Sequence, residues 1–396
     1  MHLGSRQRLI GINNLRMDHA TTCLVTDTTG RRLVNDAVPE RSVRVQAMAK
    51  AHSGGANPVP DLPNGAGSGS RLELALVVPV FNDFVSFLQL CRETDSLLGN
   101  WCADLSVIAV DDGSLESVGP VLFDPPLVNI KRVRLVKLAC NLGHQRAIAI
   151  GLVEAVTEGG FDAVLVADSD GEDRPVDIGR LIAEHRARGD VIVVARRSKR
   201  SEGLRFRVFY SIYKTMFHAF TGKKIDFGNF VLLPNAPLAR LVHMTETWNH
   251  LAASILRSRL PLSAVACQRG RRYAGSSSMN LVSLLVHGLS AVSVFSDFVL
   301  ARMLVASSAI TVIAAVMGVT AVVIRLTTTL AVPGWATSMV GISVIILLQA
   351  LLFSMVASLT MLRHRSAVAF VPSVHAQVFV GERLTLFEAS QMSPIR

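Results

Sequence analysis

The sequence predicts an α/β domain built on a mostly parallel sheet with helices on both faces, followed by a helical hairpin of membrane-spanning length. Three observations lead there. Short runs of Val, Ile and Leu alternate with segments of helical spacing from Leu72 onward. Acidic and glycine-containing motifs stand where those runs end. Charge disappears over two long stretches in the last third of the chain.

The strands come first. LELALVVPVF, LSVIAV, RVRLVKL, FDAVLVA and DVIVVA are continuous apolar runs rather than alternating ones. Such runs suit strands buried on both faces, which is the situation in a parallel sheet covered by helices. HQRAIAIGLVEAV and VDIGRLIAEHRA, lying between them, carry the helical period. In sheets of this kind ligands collect at the carboxyl ends of the strands. The catalytic domain is expected over residues 71–278.

Residues 1–70 read as a disordered leader. They mix charges without a sustained hydrophobic period and finish in AHSGGANPVPDLPNGAGSGS. No apolar core follows the early basic residues, so a secretory signal is not expected. The five cysteines, Cys23, Cys91, Cys102, Cys140 and Cys267, form no C-x-x-C pair. They are expected to be reduced and mostly buried, which favours a reducing compartment. Half of the residues are hydrophobic and the net charge is +10. Charge of that sign fits nucleic acid, an anionic membrane surface or phosphorylated substrates, and by itself does not choose among them.

Met303–Ile324 contains 22 residues and no charge, about 33 Å of helix and enough to cross a bilayer. No charged residue occurs between Arg325 and Arg363, and Pro333-Gly334 marks a turn. The spans are therefore expected at about 303–324 and 336–362, within a membrane segment of 299–364. Arg269, Arg271, Arg272 and Arg302 precede the pair, Arg363 and Arg365 follow it, and the connecting loop carries only Arg325. That bias predicts an integral membrane protein with the catalytic domain and both termini cytoplasmic. Residues 279–298 are expected as an amphipathic helix at the interface, with packing on the catalytic domain as the alternative. Residues 365–396 are expected as a cytoplasmic tail.

Four motifs carry the chemistry. VVPVFND, residues 77–83, ends a strand at Pro79 and exposes Asn82 and Asp83. VDDGS, residues 110–114, ends the next strand, and its carboxylates suit the hydroxyls or N–H groups of a nucleoside. An aspartate at either turn equally serves as a helix N-cap. NLGHQ, residues 141–145, makes a turn at Gly143 and starts a helix at His144 whose N–H groups can face phosphate. DSDGEDRP, residues 168–175, crowds Asp168, Asp170, Glu172 and Asp173 before Pro175 opens a helix. Carboxylates this close repel unless a cation joins them, and a hard divalent ion prefers oxygen ligands. The plain alternative is a solvated, acidic helix start.

In order and placement the four motifs resemble the inverting family-two glycosyltransferases, whose fold is called GT-A, over roughly residues 72–275. The likeness is greatest to the branch holding dolichol-phosphate mannose synthase and the bacterial polyprenyl-phosphate glycosyltransferases, many with a two-helix C-terminal anchor. That branch commonly reads V-V-P-x-Y-N-E, D-D-G-S, N-x-G and D-A-D-L-Q-D-P-P, against VVPVFND, DDGS, NLG and DSDGEDRP here. The resemblance implies a nucleotide-sugar site at Pro79, Phe81, Asp83, Asp112, Asn141, Gly143, His144 and Asp168. It implies a Mg²⁺ or Mn²⁺ site at Asp168, Asp170 and Glu172, with Asp170 and Asp173 as catalytic residues. Glu172 replaces a usual glutamine and Arg174 a usual proline, which bears on metal preference.

Residues 196–224 hold nine basic residues and one acid, Glu202. Guanidinium groups pair well with phosphate, although a basic face toward the membrane has the same composition. The resemblance implies an acceptor-phosphate site at Arg197, Arg205, Arg207, Arg272 and Ser276, with RGRRYAGSSS at the place of a mobile loop. No Q-x-x-R-W signature of processive synthases is present. The expected function is transfer of a hexose from a UDP- or GDP-sugar to a polyprenyl phosphate, undecaprenyl or dolichyl, in cell-envelope glycan synthesis. The alternatives are transfer to a hydroxyl of a glycolipid or growing saccharide, with Asp173 as base, and a non-catalytic basic membrane scaffold. The expected partners are the donor, the acceptor and the bilayer, without nucleic acid, and self-association is left open.

Overall fold

The computed structural model describes residues 71–115, 123, 125–197, 215, 217–274, 281–329, 334–366 and 369–389, with backbone alone at 197, 281–285 and 364–366. The expected leader lies outside the described residues.

Each apolar run becomes a strand. β1 (Leu72–Val80), β2 (Ala103–Asp111), β3 (Ile130–Leu138) and β4 (Ala163–Val166) form a parallel centre, with β1 between β2 and β4. β5 (Ile192–Arg197), β6 (Val231–Pro234) and β7 (Leu262–Cys267) extend the β4 side, giving the order β7-β5-β6-β4-β1-β2-β3-β8. Only β6 and β8 run against the other strands. The mostly parallel sheet with helices on both faces is the arrangement the sequence predicts.

β1 shows why its run is continuous. Leu74, Leu76 and Val78 meet α1 (Phe84–Leu98) and α3 (Pro175–Arg188) on one face. Ala75 and Val77 meet α2 (His144–Glu158) on the other, and all five are fully buried. Side chains alternate across a strand, so a strand covered on both faces needs apolar residues at every position. The fit is close enough that a Cβ on Gly151 of α2 would lie 2.4 Å from Val77 Cγ1.

α4 (Asn235–Leu241) and α5 (Leu251–Ser258) lie between β6 and β7. After β7 the chain enters α6 (Leu281–Ser293), then α7 (Ser296–Thr327) and α8 (Trp335–Ser366). The last two are long and apolar enough to cross a membrane, and each extends past the expected span at both ends. Small residues face each other between them. Ser307, Ala314 and Ala321 on α7, and Ser343, Ala350 and Ala357 on α8, are buried at seven-residue spacing. The Ser307 hydroxyl donates to the Ala350 carbonyl at 2.9 Å. Close approach of small side chains is how helices associate where water supplies no hydrophobic drive.

Two expectations change. The helix placed at the interface packs on the α/β domain at its C-terminal end, where Ala291, Val294 and Phe295 pack with Phe217 and Ala253. Arg257 donates to the Val294 carbonyl at 2.8 Å and pairs with Asp297 at 3.2 Å. Val286 and Leu289 remain exposed on its other side. The expected tail instead returns to the sheet through α9 (Pro372–His375) and β8 (Val380–Glu388), which pairs antiparallel with β3. Arg383 holds Glu154 of α2 with two hydrogen bonds of 2.8 Å, and Phe370 and Phe379 stack against Trp248. Leu384, Leu386 and Phe387 pack on the core, and burial of those side chains is the reason this stretch does not remain a tail. The described cysteines are free; Cys91 and Cys267 are buried as expected, whereas Cys102 and Cys140 are exposed.

Candidate active site

The four motifs meet at the carboxyl ends of β1, β2, β3 and β4. Pro79 pairs with Val110 and Val80 with Asp111 in the β1–β2 register, so VVPVFND and VDDGS end side by side. They are clipped together beyond the strands. Asn82, with φ of 50°, receives Leu115 N–H on its side-chain oxygen at 3.0 Å and donates its own N–H to Ser114 Oγ at 2.8 Å. Phe81 is half exposed beside them.

Several acids first serve the loops. Asp83 caps α1, accepting from Ser86 N–H at 3.2 Å. Asp112 is buried and accepts from Leu142 N–H at 2.7 Å and Gly143 N–H at 2.9 Å. Burial raises its carboxyl above the ordinary range despite these bonds. Asn141 donates back to the Asp112 carbonyl at 3.0 Å. Gly113 has φ of +74°, and a Cβ there would lie 2.8 Å from Asn141 N. Both the left-handed backbone and the near contact exclude a larger residue.

In the acidic loop Asp173 is 2% exposed and accepts from Asp168 N–H at 3.0 Å, while Asp170 accepts from Glu172 N–H at 3.0 Å. Pro175 starts α3 as expected. His144 Nε2 lies 3.3 Å from Asp168 Oδ1 and 3.0 Å from Asn229 Nδ2. Burial alone would lower this imidazole, but Asp168 leads a group of carboxylates that raises it above its ordinary value.

A basic strap crosses this loop. Gly270 N–H donates to the Glu172 carbonyl and Tyr273 N–H to the Asp170 carbonyl, both at 2.9 Å. A Cβ on Gly270 would lie 2.1 Å from Gly171 O, so the two backbones cross in contact. Arg269 and Arg272 reach Glu172 Oε1 at 2.5 and 2.9 Å, and Arg272 also pairs with Asp170 at 3.0 Å. Burial would raise Glu172, yet the two guanidinium bonds outweigh it and hold the carboxyl low. Asp170 is raised, by burial first and then by Asp168 and Glu172. The Tyr273 hydroxyl donates to Glu93 at 2.7 Å with its ring against Gly171.

The structure thus brings Pro79, Phe81, Asp83, Asp112, Asn141, Gly143, His144, Asp168, Asp170, Glu172, Asp173 and Arg272 to the strand ends. Arg197 closes β5. Arg205, Arg207 and Ser276 lie outside the described residues. Arg272, expected at an acceptor phosphate, is turned into the acidic loop. Glu172, expected beside a metal, is committed to two arginines. Among the described residues no three His, Cys, Asp or Glu side chains converge as a metal cluster.

Residues 75–240 match the family model described as glycosyl transferase family 2. The chain carries a glycosyltransferase family 2 domain. The chain is 26% identical over 239 residues to the uncharacterized glycosyltransferase YkoT of Bacillus subtilis, covering 57% of this chain and 68% of that one. It is 30% identical over 132 residues to an undecaprenyl-phosphate 4-deoxy-4-formamido-L-arabinose transferase of Pseudomonas fluorescens, covering 33% of this chain and 38% of that one. The match therefore spans less than half the length of that transferase. Glucosyl-3-phosphoglycerate synthase from Mycobacterium tuberculosis, solved with Mn²⁺, UDP-glucose and phosphoglyceric acid, aligns at 14% identity and a TM-score of 0.41, covering 58% of this chain and 80% of that one.

Within the domain, sequence reasoning missed Glu93, Asn229, His250 and Tyr273. Asn229 lies between the motif helix and the neighbouring loops: Gln145 Nε2 donates to its Oδ1 at 3.1 Å, and Gln145 Oε1 accepts from Leu251 N–H at 2.8 Å. The partners are 84 and 106 positions apart, and no local pattern marks such a pairing.

Proposed function

We propose that this chain is an inverting glycosyltransferase that moves a hexose from a UDP- or GDP-sugar to a polyprenyl phosphate at the cytoplasmic face of a membrane. One observation carries the reading. A strand-end cluster of carboxylates, fronted by arginines, belongs to a unit that the chain leaves for the two apolar helices and rejoins after them, because β8 returns to β3. The undecaprenyl-phosphate transferase among the relatives supports the choice of acceptor, and the arginine content of residues 196–224 supports an anionic one.

The acid cluster fits a divalent cation of the Mg²⁺ or Mn²⁺ kind. Asp168 and Asp170 offer oxygen donors, and the raised Asp170 records their mutual repulsion after burial. Two protein carboxylates completed by substrate phosphates is the usual way such an ion is held. When bound, the ion offsets charge on the departing nucleoside diphosphate. Glu172 is assigned to the strap, which it fixes through Arg269 and Arg272. His144, beside Asp168, and the NLG turn held by Asp112 face the donor.

The acceptor phosphate is already an anionic nucleophile near pH 7. Alignment and stabilisation of the leaving group supply the catalysis, and no proton has to be removed by Asp173, which is buried in the loop. In-line displacement inverts the anomeric centre. The test is incubation of full-length protein in nanodiscs with undecaprenyl phosphate and a panel of nucleotide sugars, with Mg²⁺, Mn²⁺ or EDTA. Lipid-linked sugar formed only with the phosphate and a divalent ion supports the reading. Transfer to a glycolipid hydroxyl in preference to undecaprenyl phosphate overturns it.

A further inference from the structure

Helix α6 joins the catalytic unit to the first apolar helix, and among its described side chains one polar residue reaches another element. Ser290 and Ser293 bond back to their own helix. His287 instead touches His250, Nε2 to Nε2 at 3.3 Å with ring centroids 4.6 Å apart. His250 is 4% exposed and caps α5, its Nδ1 accepting from Ala253 N–H at 3.3 Å.

That cap fixes the protons. A backbone N–H can only donate, so His250 Nδ1 carries a lone pair and its Nε2 carries the hydrogen. Nε2 then donates to His287, whose Nε2 must be the lone pair and whose Nδ1 must bear the N–H. Both rings are neutral in this arrangement. Among the described residues no hydrogen-bond partner meets His287 Nδ1. The place is also connected to the acid cluster. Leu251, the residue after His250, donates its N–H to Gln145, which bonds Asn229, which bonds His144 beside Asp168.

We propose that His287 is an acceptor-binding residue whose Nδ1–H donates to a phosphate oxygen of a lipid phosphate arriving along α6 from the bilayer. The inference rests on the polyprenyl-phosphate reading above. An acceptor whose chain lies in the membrane must pass from α7 toward the strand ends, and α6 is the described element that joins them. A neutral imidazole N–H donates strongly to an anionic oxygen and does so without demanding a counter-charge when the site is empty. His250 acts as the positioning residue, holding the tautomer.

The test uses full-length protein in nanodiscs with ¹⁵N-labelled histidine. It is titrated separately with farnesyl phosphate, farnesol and inorganic phosphate. Farnesyl phosphate should shift the His287 Nδ1 resonance, farnesol should leave it unmoved, and inorganic phosphate should act only at much higher concentration. His287→Ala should weaken farnesyl phosphate binding roughly tenfold, the loss of one hydrogen bond to a charged group, with UDP binding unchanged. His287→Asn, which keeps an N–H donor, should recover part of it. His250→Ala should scramble the His287 tautomer, visible in the ¹⁵N shifts. Binding of farnesyl phosphate with an unmoved His287 resonance overturns the assignment and leaves the acceptor reading standing. Failure of wild-type protein to bind farnesyl phosphate overturns both. A resonance that responds equally to inorganic phosphate assigns the site to the free anion and overturns the lipid.

Discussion

Asp170, half-buried, and His250, buried, show how differently two shielded groups are used. Asp170 is raised by burial and by its acidic neighbours, with Arg272 opposing. A carboxylate kept under such repulsion is prepared for a cation rather than for packing. Asp170→Ala should therefore abolish transfer, by about a hundredfold or more if the metal's share of leaving-group stabilisation is lost, while expression and membrane insertion stay near normal. Lipid-linked product measured over single turnovers checks this, and near-normal turnover removes Asp170 from the site.

His250 acts on stability. Its burial, helped by His287, pushes the imidazole down from 6.5 to about 3. Between those values the unfolded chain binds a proton here that the folded chain refuses, so stability falls as pH falls through that window. The slope from this group reaches about 1.4 kcal/mol per pH unit. Above pH 6.5 both states are neutral and the contribution is complete. His250→Asn, which can still cap α5, should flatten the acid limb. Thermal melts of detergent-solubilised protein between pH 4 and pH 7 measure it, and parallel curves for the two proteins would exclude His250.

At the scale of elements, β8 and the helical hairpin make separate predictions. Glu154 is 3% exposed and depends on Arg383, Gln377 and Arg134 for its charge. Arg383→Leu should cost about 1–3 kcal/mol, since Glu154 keeps two of its partners, and lower the melting temperature by several degrees. An unchanged melting temperature would mean that β8 is not held through this carboxylate. Within the hairpin, Ala314→Leu should force α7 and α8 apart, because the helices meet on small residues at seven-residue spacing. The readout is loss of cross-linking between cysteines placed at Ser307 and Ala350, whose side chain and carbonyl now bond. Retained cross-linking would show that the interface tolerates the bulk.

For the whole molecule, the return of the chain to β3 requires the apolar pair to enter and leave on one side of the catalytic unit. A cysteine at Thr329, near the connection, should react with impermeant reagent on intact cells, in a background without native cysteines. Cysteines on the catalytic unit should react only after the cells are opened. The reverse pattern would invert the proposed sidedness while keeping the hairpin.

The sequence by itself determined the parallel sheet, the strand-end motifs and the apolar pair, because each rests on a local signal. Runs such as Leu74–Val78 must be buried on both faces, Gly113 must take a left-handed turn, and 22 uncharged residues need an apolar medium. Leu384 and Leu386 carried a faint alternation for β8, too short beside the spans to decide whether the stretch would pair. Tertiary structure decided how the acids are shared. Asp112 and Asp173 hold loops, Asp83 caps a helix, Glu172 meets two arginines from a segment about a hundred positions later, and Asp168 meets His144. A carboxylate's role depends on which donors reach it, and those donors come from elements that only the folded sheet brings together.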